Sequence, residues 1–105
     1  MKTITLLNAA TTTATGTGYT AMDVRYDTEN RVFQATVSGT GAVSATVNVE
    51  VSNDNTNWLV LGTITLSGTT SASDGFAAGA PWPYTRARVT AISGTSAAVT
   101  VSMGF

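Results

Sequence analysis

Residues 43–66 read VSATVNVEVSNDNTNWLVLGTITL. Val43, Ala45, Val47, Val49 and Val51 take every second position, and Ser44, Thr46, Asn48, Glu50 and Ser52 fill the gaps. That is the period of a strand with one apolar and one polar face. Asn53-Asp54-Asn55-Thr56-Asn57 then breaks the run. Such side chains satisfy their own backbone locally and tolerate left-handed conformations, so a turn is expected there. Trp58 to Leu66 resumes apolar and β-branched character, and the whole stretch predicts a β-hairpin.

The same alternation extends outward in both directions. Upstream, Met22, Val24 and Tyr26 precede a polar turn, Asp27 to Asn30, and Phe33, Ala35 and Val37 follow it, giving a second hairpin within Tyr19–Ser38. Gly39-Thr40-Gly41 joins this hairpin to the next. Downstream, Ser67–Ala80 is low in complexity and reads as a connection, with Asp74-Gly75 its clearest turn and Phe76 its anchor to the core. Pro81-Trp82-Pro83 stiffens the approach to Tyr84–Ile92. There, small Thr85, Ala87, Val89 and Ala91 point inward, while Arg86 and Arg88 point outward. After a turn at Ser93–Ser96, Ala97, Val99, Val101 and Met103 mark a last strand.

At the start of the chain, Ile4 and Leu6 fit a short first strand better than a secretory signal, whose apolar region runs about 7–15 residues. Asn8–Thr20 reads as a loop or extended arm. The expectation is one all-β domain over residues 1–105, with 1–20 a short strand plus arm. Its form is an antiparallel β-sandwich, jelly-roll-like, of about seven or eight strands. Trp58 is expected in the core and Trp82, between prolines, closer to solvent.

Composition narrows function by exclusion. The 105 residues carry a net charge of −1, with no cysteine and no histidine and only 10% charged residues. The usual thiolate and imidazole metal ligands are missing, as is the commonest general base. Five basic residues against six acidic ones are too few for a phosphate-backbone footprint, so no nucleic acid partner is expected. No apolar run approaches the ~18 residues of a membrane span, so no membrane partner is expected either.

Three stretches match a known kind of site only in part. Gly16, Gly18 and Ala21 match the spacing of a dinucleotide fingerprint but lack the flanking strand and helix. Asn53, Asn55 and Asn57 begin like a calcium loop, yet Trp58 stands where glycine is needed and Ile64 where a bidentate Glu belongs. The charges Asp23, Arg25, Asp27, Glu29 and Arg31 read as a solvated rim. No cofactor and no enzymatic activity are expected.

Three segments together resemble small virion β-sandwich proteins that decorate or cement tailed-phage heads. They are Leu6-Leu7-Asn8-Ala9 with Thr15-Gly16-Thr17-Gly18, Val49-Glu50-Val51-Ser52-Asn53-Asp54 leading to Asn57-Trp58, and Tyr84-Thr85-Arg86-Ala87-Arg88-Val89. Asn55 departs from the pattern, standing where similar turns often carry glycine; Asn tolerates the same backbone region. The resemblance implies a protein made in the host cytoplasm and carried on the capsid surface of the virion. Its implied partners are the major capsid protein and, on the shell, further copies of itself. The candidate partner-binding residues are Trp82, Tyr84, Arg86, Arg88 and Tyr19. The alternative is a glycan-binding or tail-fibre module, in which Trp58, Trp82, Tyr84 and Tyr19 would offer flat faces to sugars, Trp82 being a better platform than Trp58, whose apolar neighbours suit the core.

Overall fold

The computed structural model describes residues 3–12, 14–15, 19–20, 30–79 and 82–104. Among them lie six strands: β1 (Thr3–Ala10), β2 (Ala14–Thr15), β3 (Tyr19–Thr20), β4 (Asn30–Ser52), β5 (Leu59–Gly79) and β6 (Tyr84–Gly104). All pair antiparallel in one sheet of order β1-β6-β4-β5, with β2 and β3 also on β6. The fold is therefore all-β and antiparallel, as the alternation predicts.

The division into strands differs from the expectation of seven or eight. Gly39-Thr40-Gly41 does not reverse the chain between two hairpins, and Ser93–Ser96 is not a turn between two strands. Both lie inside long strands, β4 and β6. Ser67–Gly79, expected to be a connection, is the second half of β5, paired to β4 from Asn30 to Ala42 and beyond. Tyr84 to Gly104 is likewise one strand. Met22, Val24, Tyr26, residues 27–29 of the turn after them with the charges Asp23 and Arg25, the glycine pair Gly16 and Gly18 with Ala21, and Pro81 lie outside the described residues, whereas Asn30 opens β4.

These strands cannot be straight. The 23 residues of β4, at about 3.3 Å each, would span roughly 75 Å, yet the longest dimension of the molecule is 42 Å. All three long strands bend at one level. β4 breaks register between Ser38 and Ala42, and Thr40 pairs with Thr95 of β6 at the same height. Positive φ angles mark the bend: Gly41 at 75°, Thr70 at 71°, Gly94 at 125° and Ser96 at 55°. At Gly94 a side chain would also strike the Ala42 carbonyl at 2.8 Å, so glycine is required there twice over. The three bends form a single crease across the sheet.

The crease folds the two halves of each strand over one another. Gly62, in the first half of β5, lies under the ring of Phe76 in the second half, and an added Cβ would sit 2.6 Å from its Cζ. Phe76 in turn pairs across the ladder with Phe33, their ring centroids 5.1 Å apart. The core fills the fold with Phe33, Ala35 and Val37 from one half of β4, Val43, Ala45, Val47 and Val49 from the other, and matching residues of β5 and β6. Phe76 anchors to this core as expected, but from a strand and not a loop.

At the open end the core is closed by a charge. Arg31 is in phase with Phe33, Ala35 and Val37, is 1% exposed, and faces Thr85 of the opposite half. Its Nη1 donates to Thr85 Oγ1 at 3.2 Å and to the Trp82 carbonyl at 3.1 Å. Arg31 is thus an inward clamp, where the sequence suggested a solvated rim.

Two further expectations are corrected by bulges and pairing. Ala91 is exposed and Ile92 packs against the core, because Thr90 is an extra residue in β6, between Val89 opposite Val47 and Ala91 opposite Thr46. A bulge of this kind reverses which side chains point inward. The N-terminal arm is also partly sheet: β1 runs on to Ala10, and β2 and β3 both pair with β6.

Candidate partner-binding face

The face of β4 opposite the core is not uniformly wet. Glu50 and Ser52 are both buried there, at 5% and 1% exposure. Pairing explains how. Ser52 stands opposite Tyr84, Glu50 opposite Arg86, and Asn48 opposite Arg88, and antiparallel partners share a face. Tyr84, Arg86 and Arg88, three of the candidate residues, therefore form one row beside Glu50.

Glu50 organises the row. Arg86 Nε donates to its Oε1 at 2.6 Å, and Arg88 Nη1 lies 3.9 Å from its Oε2. The Arg86 guanidinium also sits over the Trp58 ring, 4.1 Å from the ring centroid. Trp58 is half-buried just before β5, so it is not the core residue expected from its apolar neighbours. It roofs the Glu50–Arg86 pair. A cation over an indole face is favoured by the ring quadrupole, most strongly where water is excluded.

Trp82 is half-buried as well, so the expected contrast between the two tryptophans is absent. The Trp82 carbonyl accepts from Arg31, which ties the approach to β6 against the open end of the core. The backbone of Tyr19 pairs with Thr85, which faces the core and is not a member of the row, and that of Thr20 with Tyr84. The side chain of Tyr19 lies outside the described residues.

The turn from β4 to β5 borders the face and is held by its own hydrogen bonds. Ser52 Oγ accepts from the Asp54 and Asn55 amides and donates to Asp54 Oδ1. Asp54 Oδ1 also accepts from the Thr56 and Asn57 amides, and Oδ2 from the Asn57 side chain. Asn57, through backbone and then side chain, holds the Asp54 carboxyl well below the usual carboxylate range, with Thr56 and Ser52 adding to the effect. Asn55 has φ of 60°, the left-handed region that glycine usually fills in such turns. Both carboxylate oxygens are engaged in turn bonding.

Beside the turn, Leu59 and Val60 are 58% and 54% exposed. Sequence reasoning placed them in a core strand. A bulge between Val60 and Gly62 sets Val60 opposite Glu50, out of phase with Ile64 and Leu66, and no residue pattern in the segment announces it. The result is a patch of Trp, Tyr, Arg and exposed aliphatic residues around a buried carboxylate. Trp, Tyr and Arg are enriched at interface hot spots. Among the described residues no group of three His, Cys, Asp or Glu converges.

No protein-family model and no curated protein sequence matches the chain. Its fold is shared by two solved structures. The SPBc2 prophage-derived protein YomS is 15% identical with a TM-score of 0.62, over 97% of this chain and 88% of YomS. The PBSX exported protein XepA is 14% identical with a TM-score of 0.62, over 97% of this chain. The chain spans 36% of the length of XepA.

Proposed function

We propose that this chain is a non-enzymatic structural protein of a tailed-phage virion, a decoration or cement protein on the capsid surface. Its partners in this reading are the major capsid protein and neighbouring copies of itself on the shell. The observation that carries the reading is the shared fold. A prophage-derived protein of similar length shares the fold over 97% of this chain and 88% of its own. The facing halves, joined through Gly62 and Phe76, support reading the sheet as a sandwich of jelly-roll type.

The mechanism is adhesive. Trp58, Tyr84 and Arg86 are the residue types of a hot spot, exposed Val60 adds apolar area beside them, and Glu50 fixes Arg86 so that little side-chain entropy remains to be lost on binding. With so few charges in the chain, apolar and backbone contacts supply most of the attraction, and binding is expected to vary little with salt. The test is co-sedimentation of purified protein with undecorated shells at low and high salt, beside a glycan array. Saturable shell binding, weakened by Tyr84→Ala or Trp58→Ala, is the expected result. Saturable glycan binding without shell binding would replace this reading with the tail-fibre module.

A further inference from the structure

β5 is an edge. Its far side has no strand partner among the described residues, whereas the opposite border is broken into β1, β2 and β3, with two register shifts along β1. An unpaired strand presents free N–H and C=O groups, and proteins usually guard such edges with Lys, Pro or bulges. From Leu59 to Gly79 there is no Lys, Arg or Pro, and the one charged residue is Asp74.

The segment Gly62-Thr63-Ile64-Thr65-Leu66-Ser67-Gly68 reads alike in both directions by residue class. Its register with β4 is unbroken from Gly62 to Thr69. Ile64 and Leu66 are buried, while Thr63, Thr65 and Ser67 are exposed. We propose that this segment pairs antiparallel with the same segment of a second copy, about a two-fold axis at Thr65.

In that pairing Thr65 stands opposite its own counterpart, Thr63 opposite Ser67, Ile64 opposite Leu66, and Gly62 opposite Gly68. Opposed residues share a face, so the apolar pair continues the core across the join and the hydroxyls meet on the other side. No charge opposes another. The occupant is a second copy because the segment complements itself. A head-to-tail chain of copies would instead need the broken border of β1, β2 and β3, so the contact closes as a dimer. Exposed Leu59 and Val60 flank the ladder and add apolar area at both of its ends.

So short a ladder buries less than the ~1,600 Å² of a standard interface, and the dimer is weak, in the micromolar to millimolar range. On a shell, copies held side by side would pair at high effective concentration. That consequence rests on the shell-binding reading. The pairing itself is tested in solution without shells, so either idea can fail without the other.

The chain has no cysteine, so Thr65→Cys introduces a lone thiol at the axis. Opposed residues in an antiparallel pair have Cα atoms about 4.5–5.5 Å apart, within the range a disulfide bridges. Mild oxidation is expected to give covalent dimer on the order of 100-fold faster than for Thr5→Cys on the opposite border, because pairing raises the local thiol concentration from micromolar to millimolar. Sedimentation equilibrium of the unmodified protein is expected to show mass doubling as concentration rises. Thr65→Lys, at an exposed position, should remain monomeric with an unchanged melting temperature. Equal crosslinking of the two cysteine variants, a wild-type monomer up to about 1 mM, or growth beyond the dimer would each overturn the proposal.

Discussion

Removing the guanidinium of Arg31 tests the creased sheet directly. The residue comes from one half of β4, and its acceptors, Thr85 Oγ1 and the Trp82 carbonyl, belong to β6 and its approach. Thr85 is wholly buried and Arg31 is 1% exposed, so water cannot replace the lost donor cheaply. Hydrogen bonds to a charged group contribute about 1.5–3 kcal/mol each. Leaving the Thr85 hydroxyl and the Trp82 carbonyl without their donor costs about 1–3 kcal/mol each. Arg31→Ala is therefore expected to destabilise the fold by about 3–5 kcal/mol, out of roughly 5–15 kcal/mol available to a domain of this size. The melting temperature should fall by more than about 12 °C. Urea unfolding followed by tryptophan fluorescence measures the loss. Arg31→Met and Thr85→Val complete a double-mutant cycle, with an expected coupling of about 1–2 kcal/mol. If Arg31→Met costs less than about 1 kcal/mol, or the pair is additive, the guanidinium does not clamp the two halves together and the account of the open end is wrong.

Glu50→Ala should cost about 2–3 kcal/mol, since it leaves Arg86 without its partner beside Trp58, whereas Arg88→Ala should cost under about 1 kcal/mol, because Arg88 is half-exposed and 3.9 Å away; chemical denaturation of both variants checks the ranking. The carboxyl of Asp54 titrates lower in the folded chain than in the unfolded one. Its contribution is thus present above the unfolded value of about 4 and is lost as pH falls from there towards the folded one. Wild type should melt higher than Asp54→Asn at neutral pH, and the gap should narrow steadily as pH falls below about 4 towards the folded value; a gap that does not change with pH would refute the turn chemistry. Asn55→Gly should be tolerated and Asn55→Val destabilising by about 1–2 kcal/mol, because φ is 60° there and a β-branched residue is strained in that region. Thermal melts of the two variants decide.

The sequence made the faces of the strands legible and left their length hidden, and the reason is physical. Alternation depends only on which side of the sheet a residue faces. It therefore survives in Phe33–Val37, Val43–Val51 and Ala97–Met103, all of which are buried where the period puts them. Whether Gly39-Thr40-Gly41 reverses the chain or merely bends it depends on whether the neighbouring strands bend alongside, at Thr70 and at Gly94 to Ser96. Glycine, serine and threonine suit both geometries. The second half of β5 looked like a connection because an edge strand has one neighbour to satisfy, so its outward positions tolerate small polar residues.

The candidate face depended on a pairing that local pattern does not encode. Arg86 and Arg88 were legible as outward residues of one strand, but Glu50 lies 36 positions away from Arg86, and only the β4–β6 register brings them together. Arg31 is different, because its signal was present. It stands two residues before Phe33, in step with the inward row, so its phase points inward although its charge points to solvent. A charged residue in step with an apolar row at the end of a strand has two ways to be satisfied: it reaches solvent, or it meets a polar group of the facing layer. The crease decides between them here, because it carries the buried hydroxyl of Thr85 across the open end of the core to Arg31.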